Sequence, residues 1–267
     1  MTDRFERAID YLRISVTDRC NLRCVYCMPP EGITLRGHSD MLTYDEIVTF
    51  ATLAVSKGVQ KIRITGGEPL VRKDLELLIT MLAKIEGVTD LALTTNGQLL
   101  KEKAPLLKSA GLHRVNISLD TLDPELYSKI TRGGVLEQVL EGIHTAQQVG
   151  LHPIKINCVT GIDFVPDTES KRLQFFADTH KLQIRFIRRM SLAQGTFSLV
   201  EGGSGGDCPH CNRLRLTSDG MLKPCLFSDL AYNIRTLGFI EALEAAVQNK
   251  PLQGTYNRLG SFYGIGG

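Results

Sequence analysis

Six short segments of this chain alternate side chains with a period of two, and in most of them one of the two faces is polar. They are "YLRISV" (11–16), "QKIRIT" (60–65), "DLALTT" (90–95), "RVNISLD" (114–120), "PIKINCV" (153–159) and "LQIRFI" (182–187). Period-two alternation marks strands. Helical patterns lie between them. "TYDEIVTFATLAVSKG" carries Thr43 as N-cap and Glu46 three residues on, a capping-box pattern. "DLELLITMLAKI" follows, then a helix after Asn96-Gly97 that ends near Ala110-Gly111. "VLEQVLEGIHTAQQVG" stops at Gly150, and a last helix is predicted near 168–179. Strands alternating with helices predict an α/β chain with a parallel sheet. Six units are too few for a closed eight-stranded barrel and suit a partial (βα)6 TIM-like barrel.

The faces say what the sheet must enclose. Leu12, Ile14, Val16, Ile62, Ile64, Ile117, Leu119, Ile156, Cys158, Ile184 and Phe186 share the face that meets helices. Arg13, Ser15, Thr17, Lys61, Arg63, Thr65, Asn116, Ser118, Asp120, Lys155, Asn157, Gln183 and Arg185 share the other. A closed barrel fills its inside with branched apolar side chains. Unpaired charge buried there would cost several kcal/mol per ion. The polar face therefore predicts a cavity that holds water and a polyanion. A one-sided, wet sheet is the alternative, disfavoured because parallel sheets are rarely exposed on a face.

Seven cysteines fall into two groups and a singleton. Cys20, Cys24 and Cys27 form C-x3-C-x2-C, Cys208, Cys211 and Cys225 form C-x2-C-x13-C, and Cys158 stands alone on the apolar register as a core thiol. Three thiols are the wrong number for a disulfide framework and one short of a closed metal site. Each triad fits an iron–sulfur cluster with one open iron. A zinc site or loose thiols are the alternative for the first, and a zinc knuckle using His210 or a fourth ligand elsewhere for the second. No stretch is apolar enough for a membrane span, and the N-terminus lacks the apolar core of a signal peptide. Reduced thiols and a formal charge of +2 in 267 residues predict a cytoplasmic protein that is no general nucleic-acid binder.

"TDRCNLRCVYCMPPEG" (17–32) together with "TGGEP" (65–69) resembles the radical S-adenosylmethionine (SAM) superfamily. There the open iron of a 4Fe–4S cluster chelates SAM, and cleavage yields a 5′-deoxyadenosyl radical. "IRITGGEPLVRKDL", "LTTNG", "VNISLDTLD", "IRFI", "CNRLRLTSDGMLKPCLF" and the tail "YGIGG" narrow the resemblance to the GTP 3′,8-cyclases of molybdenum cofactor biosynthesis. The resemblance implies a lyase with two 4Fe–4S clusters, ligated by Cys20, Cys24, Cys27 and by Cys208, Cys211, Cys225. It implies SAM contacts from Tyr26, Gly66, Gly67, Glu68, Ser118 and Met190. GTP would meet Arg13, Lys61, Arg63, Thr94 and Lys155, and, from their shared register, Asn157 and Arg185. Arg213 and Arg215 would meet the triphosphate or base and, with Gly266 and Gly267 of the tail, act in catalysis. Implied partners are GTP, a reductant such as flavodoxin or ferredoxin, and a downstream cyclic pyranopterin monophosphate synthase, with a homodimer allowed.

Residues 1–190 are expected to form the barrel, and 191–267 a short linker, a small auxiliary iron–sulfur cap and the tail. Here the chain departs from the family. Between Met190 and Cys208 only "SLAQGTFSLVEGGSGGD" stands where the family carries a much longer segment, and "GGSGG" (202–206) has a linker's composition. Arg188 and Arg189 stand where the family often has Glu and an apolar residue. Two other classes fit parts of the pattern: a radical SAM enzyme acting on a peptide or another nucleotide, and a non-enzymatic iron–sulfur protein for electron transfer or sensing.

Overall fold

The computed structural model describes residues 1–265. Six parallel strands form in chain order: β1 (Tyr11–Ser15), β2 (Lys61–Thr65), β3 (Asp90–Thr95), β4 (Arg114–Ser118), β5 (Lys155–Thr160) and β6 (Gln183–Arg188). Between them run α1 (Tyr44–Ser56), α2 (Leu75–Ala83), α3 (Leu100–Ser109), α4 (Pro124–Thr131), α5 (Leu136–Gln148) and α6 (Thr168–Thr179). All six strands coincide with the segments of period-two alternation, within two residues at each end. α4 begins on signals present in the sequence, an Asp123 side-chain cap and Pro124 in the first turn.

The sheet does not stop at β1. β7 (Arg213–Leu216) pairs parallel with the other edge of β1, and β8 (Met221–Lys223) and β9 (Tyr232–Asn233) continue antiparallel. The order is β6-β5-β4-β3-β2-β1-β7-β8-β9, nine strands in one sheet. The segment that carries the second cysteine triad thus enters the barrel sheet itself. Two short helices, α7 (Ile234–Leu237) and α9 (Phe262–Ile265), flank the longer α8 (Phe239–Gln248). The apolar face behaves as expected. Leu12, Ile14, Ile62, Ile64, Leu93, Ile117 and Ile156 are buried in one core with the inner faces of α1, α2, α3 and α5. Cys158 lies in that core.

"GGSGG" is not a free linker. Glu201 bridges antiparallel to Phe186, so the segment covers the outer edge of β6. Gly202 and Gly206 take positive φ and pack against backbone, where a Cβ would fall 2.4 Å from Ile184 O and 2.1 Å from Ser198 O. The glycines here serve close approach rather than mobility.

Candidate active site

Two cavities open on the polar face of the sheet. The first, about 220 Å³, is lined by Cys20, Cys24, Cys27, Tyr26, Gly66, Gly67, Glu68, Thr94, Asn96 and Ser118. The cysteines sit on the loop after β1 and the TGGEP loop follows β2, so adjacent parallel strands deliver both to one end of the sheet. Gly67 N donates to Thr17 O at 2.7 Å and Glu68 N to Arg19 O at 2.8 Å, which fastens one loop to the other. A Cβ on Gly67 would lie 2.4 Å from Arg19 O. The glycine is therefore demanded by the cysteine loop.

Glu68 is buried, and its carboxylate accepts from Leu70 N (3.0 Å), Thr95 Oγ1 (2.8 Å) and Asn96 N (2.7 Å). Burial raises it to about 7 in spite of these donors. Tyr26 Oη donates to Asp120 Oδ2 at 2.7 Å, and Asp120 Oδ1 accepts from Val159 N at 2.7 Å. Burial likewise lifts Asp120 to about 6. Asp120 was placed on the polar register by alternation, but its role as the anchor of Tyr26 needed the fold. Burial pushes the Cys24 thiol up, and the Cys27 thiol to about 12, so both are protonated at neutral pH until a metal displaces the proton.

The second cavity, about 190 Å³, is lined by Cys208, Cys211, Cys225 and by Arg13, Arg63, Arg185, Arg213 and Arg215. Arg215, Arg13 and Arg63 are lateral neighbours on β7, β1 and β2. Burial first, and then the neighbouring guanidiniums, lower Arg13 well below its ordinary value and Arg215 to about 10. Burial does the same to Arg63, which falls to about 10. Arg63 Nε, Arg185 Nε, Asn157 Oδ1 and Tyr11 Oη are buried without a hydrogen-bond partner among the described residues. Buried polar atoms of this kind need a partner, and a polyanion in the cavity would supply one for the two guanidinium N–H groups and the Tyr11 hydroxyl. Tyr11, which motif reading missed, faces Arg63 and Arg213 with its ring, at 5.3 and 5.8 Å.

Asn157, Ile187 and Met190 line both cavities. Thr94 belongs to the first cavity rather than the second. Lys61 and Lys155 line neither: Lys61 pairs with Asp10 at 2.8 Å, and Lys155, lowered to about 8 by burial and by Arg185, stands half-buried. Arg213 is held by the Ser204 carbonyl at 3.0 Å and by the Ser204 hydroxyl. Arg188 and Arg189 reach the first cavity. The tail passes close by. Phe262 lines the first cavity and Ile265 is buried with Leu192, Leu226 and Phe227. Gly266 and Gly267 lie outside the described residues.

The donor sets fit iron–sulfur clusters. Each cavity offers three thiols, the ligation that leaves one iron open. His210, the fourth ligand a zinc knuckle would need, is largely exposed and pairs with Asp207 at 2.9 Å. Among the described residues no three His, Cys, Asp or Glu side chains converge on a single ion.

A radical SAM superfamily model matches residues 14–178. The GTP 3′,8-cyclase of Petrotoga mobilis is 40% identical over 304 aligned positions, covering 94% of each chain. That of Peptoclostridium acidaminophilum is 45% identical, covering 86% of this chain and 84% of its own. The first alignment is longer than the 267 residues of this chain, so part of the relative has no counterpart here. Among solved structures, Streptococcus suis SuiB bound to its precursor peptide SuiA matches at TM-score 0.67 and 18% identity, covering 93% of this chain and 66% of that one. That likeness shows the fold alone. With 40% identity spread across nearly its whole length, the chain belongs to the radical SAM superfamily and, within it, to the GTP 3′,8-cyclase family.

Proposed function

We propose that the chain converts GTP to 3′,8-cyclo-7,8-dihydro-GTP, the first step of molybdenum cofactor biosynthesis. One observation carries this reading: a thiol-lined cavity and a guanidinium-lined cavity share the wall formed by Asn157, Ile187 and Met190. Cys20, Cys24 and Cys27 would hold one 4Fe–4S cluster, and Cys208, Cys211 and Cys225 the second. When bound, the first cluster and SAM supply a hydrogen-abstracting radical. The residues of the chain do the rest. Glu68, Ser118 and Tyr26 orient SAM beside Met190. Arg63, Arg185, Arg213 and Arg215 bind the triphosphate through charge-assisted hydrogen bonds, with Arg13 beside them. The shared wall keeps the two ligands adjacent and excludes water between them. Arg213 and Arg215, on alternate positions of β7, present their side chains to the same cavity as the second triad.

The finer partners belong to the same reading. A reductant such as flavodoxin or ferredoxin reduces the clusters, a cyclic pyranopterin monophosphate synthase takes the product, and the protein works in the cytoplasm, where all seven cysteines stay reduced. Among the described residues no helix is long and apolar enough to cross a membrane, and the seven cysteines are free.

Anaerobically reconstituted protein, reduced and given SAM with GTP, with other nucleotides or with peptides, tests the proposal. Formation of the cyclised nucleotide from GTP is expected. Replacing Cys20, Cys24 and Cys27 with Ala should leave about half the iron and abolish SAM cleavage. Turnover of a peptide and not of GTP would transfer the chain to the peptide-modifying class.

A further inference from the structure

Two buried cations outside the cysteine motifs touch all three stretches that carry the second triad. Lys250, just beyond α8, is 1% exposed. Its Nζ donates to Arg213 O at 2.7 Å and to Pro224 O at 2.6 Å. Arg213 stands two residues after Cys211, and Pro224 immediately precedes Cys225. These two carbonyls seat the ammonium against the backbone that carries Cys211 and Cys225. Arg7 is also buried. Its Nη1 donates to Cys208 O at 2.8 Å and to Leu252 O at 3.1 Å, and its Nη2 donates to Pro251 O at 2.8 Å. Residues 250–252 are thus the hub from which Cys208, Cys211 and Cys225 are all positioned.

The two cations are balanced differently. Arg7 is paired with Asp3, at 2.6 Å. Among the described residues no carboxylate forms an ion pair with Lys250. Its two oxygen partners are neutral carbonyls. A buried ammonium without an anion is costly. Ligated, anionic sulfur is the counter-charge this position calls for.

We infer that Lys250 is a positioning residue for the second cluster, holding the segments of Cys211 and Cys225 in one register and raising the cluster's reduction potential through a buried positive charge beside both. The inference rests on the reading that the C-terminal triad holds an iron–sulfur cluster. Adding an electron makes the cluster more negative, so a nearby buried cation stabilises the reduced form more than the oxidised one. On the N-terminal loop the hydrogen bonds described to a ligand sulfur come from neutral groups, Leu22 N and Asn96 Nδ2 on Cys20 Sγ at 3.4 and 3.9 Å. Lys250 therefore distinguishes the two sites.

The experiment uses the full chain, reconstituted with iron and sulfide, as wild type, Lys250→Met and Lys250→Arg. Iron content is measured, and each cluster is titrated potentiometrically by electron paramagnetic resonance. In Lys250→Met the midpoint of the second cluster should move to more negative potential while the N-terminal cluster stays put. If the methionine variant fails to hold the second cluster, its iron should fall to about half with the SAM-responsive N-terminal signal intact, and Lys250→Arg should restore both iron and potential towards wild type. Full iron with an unmoved potential in Lys250→Met, or equal loss of both clusters, would overturn the inference. Wild-type protein that loads only one cluster would overturn the reading beneath it, and the inference with it.

Discussion

Gly67 has room for a hydrogen and nothing larger, because the Arg19 carbonyl oxygen would stand 2.4 Å from a Cβ. Gly67→Ala must displace the backbone of the cysteine loop, and overpacking of this kind costs about 1–3 kcal/mol. A lower unfolding temperature together with loss of the N-terminal cluster's iron is the expected result, read by calorimetry and iron assay. Arg63 is the complementary case, a group built to contact something. It is buried, its Nε lacks a hydrogen-bond partner among the described residues, and Arg114 and Arg185 are among its charged neighbours. A charge-assisted contact is worth roughly 1.5–3 kcal/mol, so Arg63→Ala should weaken GTP binding about ten-fold or more, measured by titration calorimetry. Both residues were singled out by motif and register alone. What the register could not supply was the neighbour. The reading of alternation places Tyr11 on neither face, yet its ring meets Arg63 and Arg213. Lys61, on the polar register, is diverted to Asp10, since it sits at the strand end where solvent and an acidic loop compete for it.

At the scale of elements, the start of α1 shows where local reading ends. Thr43 and Glu46 form the expected capping box, with Glu46 N donating to Thr43 Oγ1 at 3.2 Å and Thr43 N to Glu46 Oε2 at 2.7 Å. Glu46 also receives Arg235 of α7, at 2.7 and 2.9 Å. That bond, more than the cap, holds its carboxyl at about 2 against an ordinary 4.5. A depressed carboxyl stabilises the fold above its unfolded value and ceases to do so once it is protonated. The contribution should therefore be complete above about 4.5 and disappear as the pH falls towards 2. Glu46→Gln should flatten the pH dependence of stability in that window, as followed by urea unfolding at a series of pH values. The cap was legible because it lies within four residues. The Arg235 partner was not, and neither was the pairing of β7 with β1, because no local pattern encodes which distant edge a strand will find.

At the scale of the whole molecule, the segment that is short by the family's measure closes the sheet's outer edge. Residues 203–206 line the second cavity, Ser204 holds Arg213, and Gly202 abuts β6. Alanine at both Gly202 and Gly206 would strain two left-handed backbones and drive each Cβ into a carbonyl oxygen. The loop should lift from β6, so that the Phe186 amide, which donates to Glu201 O at 3.1 Å, exchanges faster with deuterium and GTP binds less tightly. Composition had suggested a linker; the packing of its glycines against backbone could be seen only with β6 in place.

The place of β7 has one more consequence, in the order of synthesis. β1 is made first and acquires its second neighbour only when residues 213–216 emerge, so for most of translation one edge of an interior strand is unpaired. A bare parallel edge flanked by apolar side chains templates association with other chains. The stretch matched by the superfamily model ends at residue 178, well before that edge is covered. A fragment cut at residue 190 would retain every SAM-side motif and still expose Tyr11–Ser15 along its length. Such a fragment should sediment as aggregates where the full chain does not, and supplying residues 191–267 as a separate peptide should recover part of the soluble species.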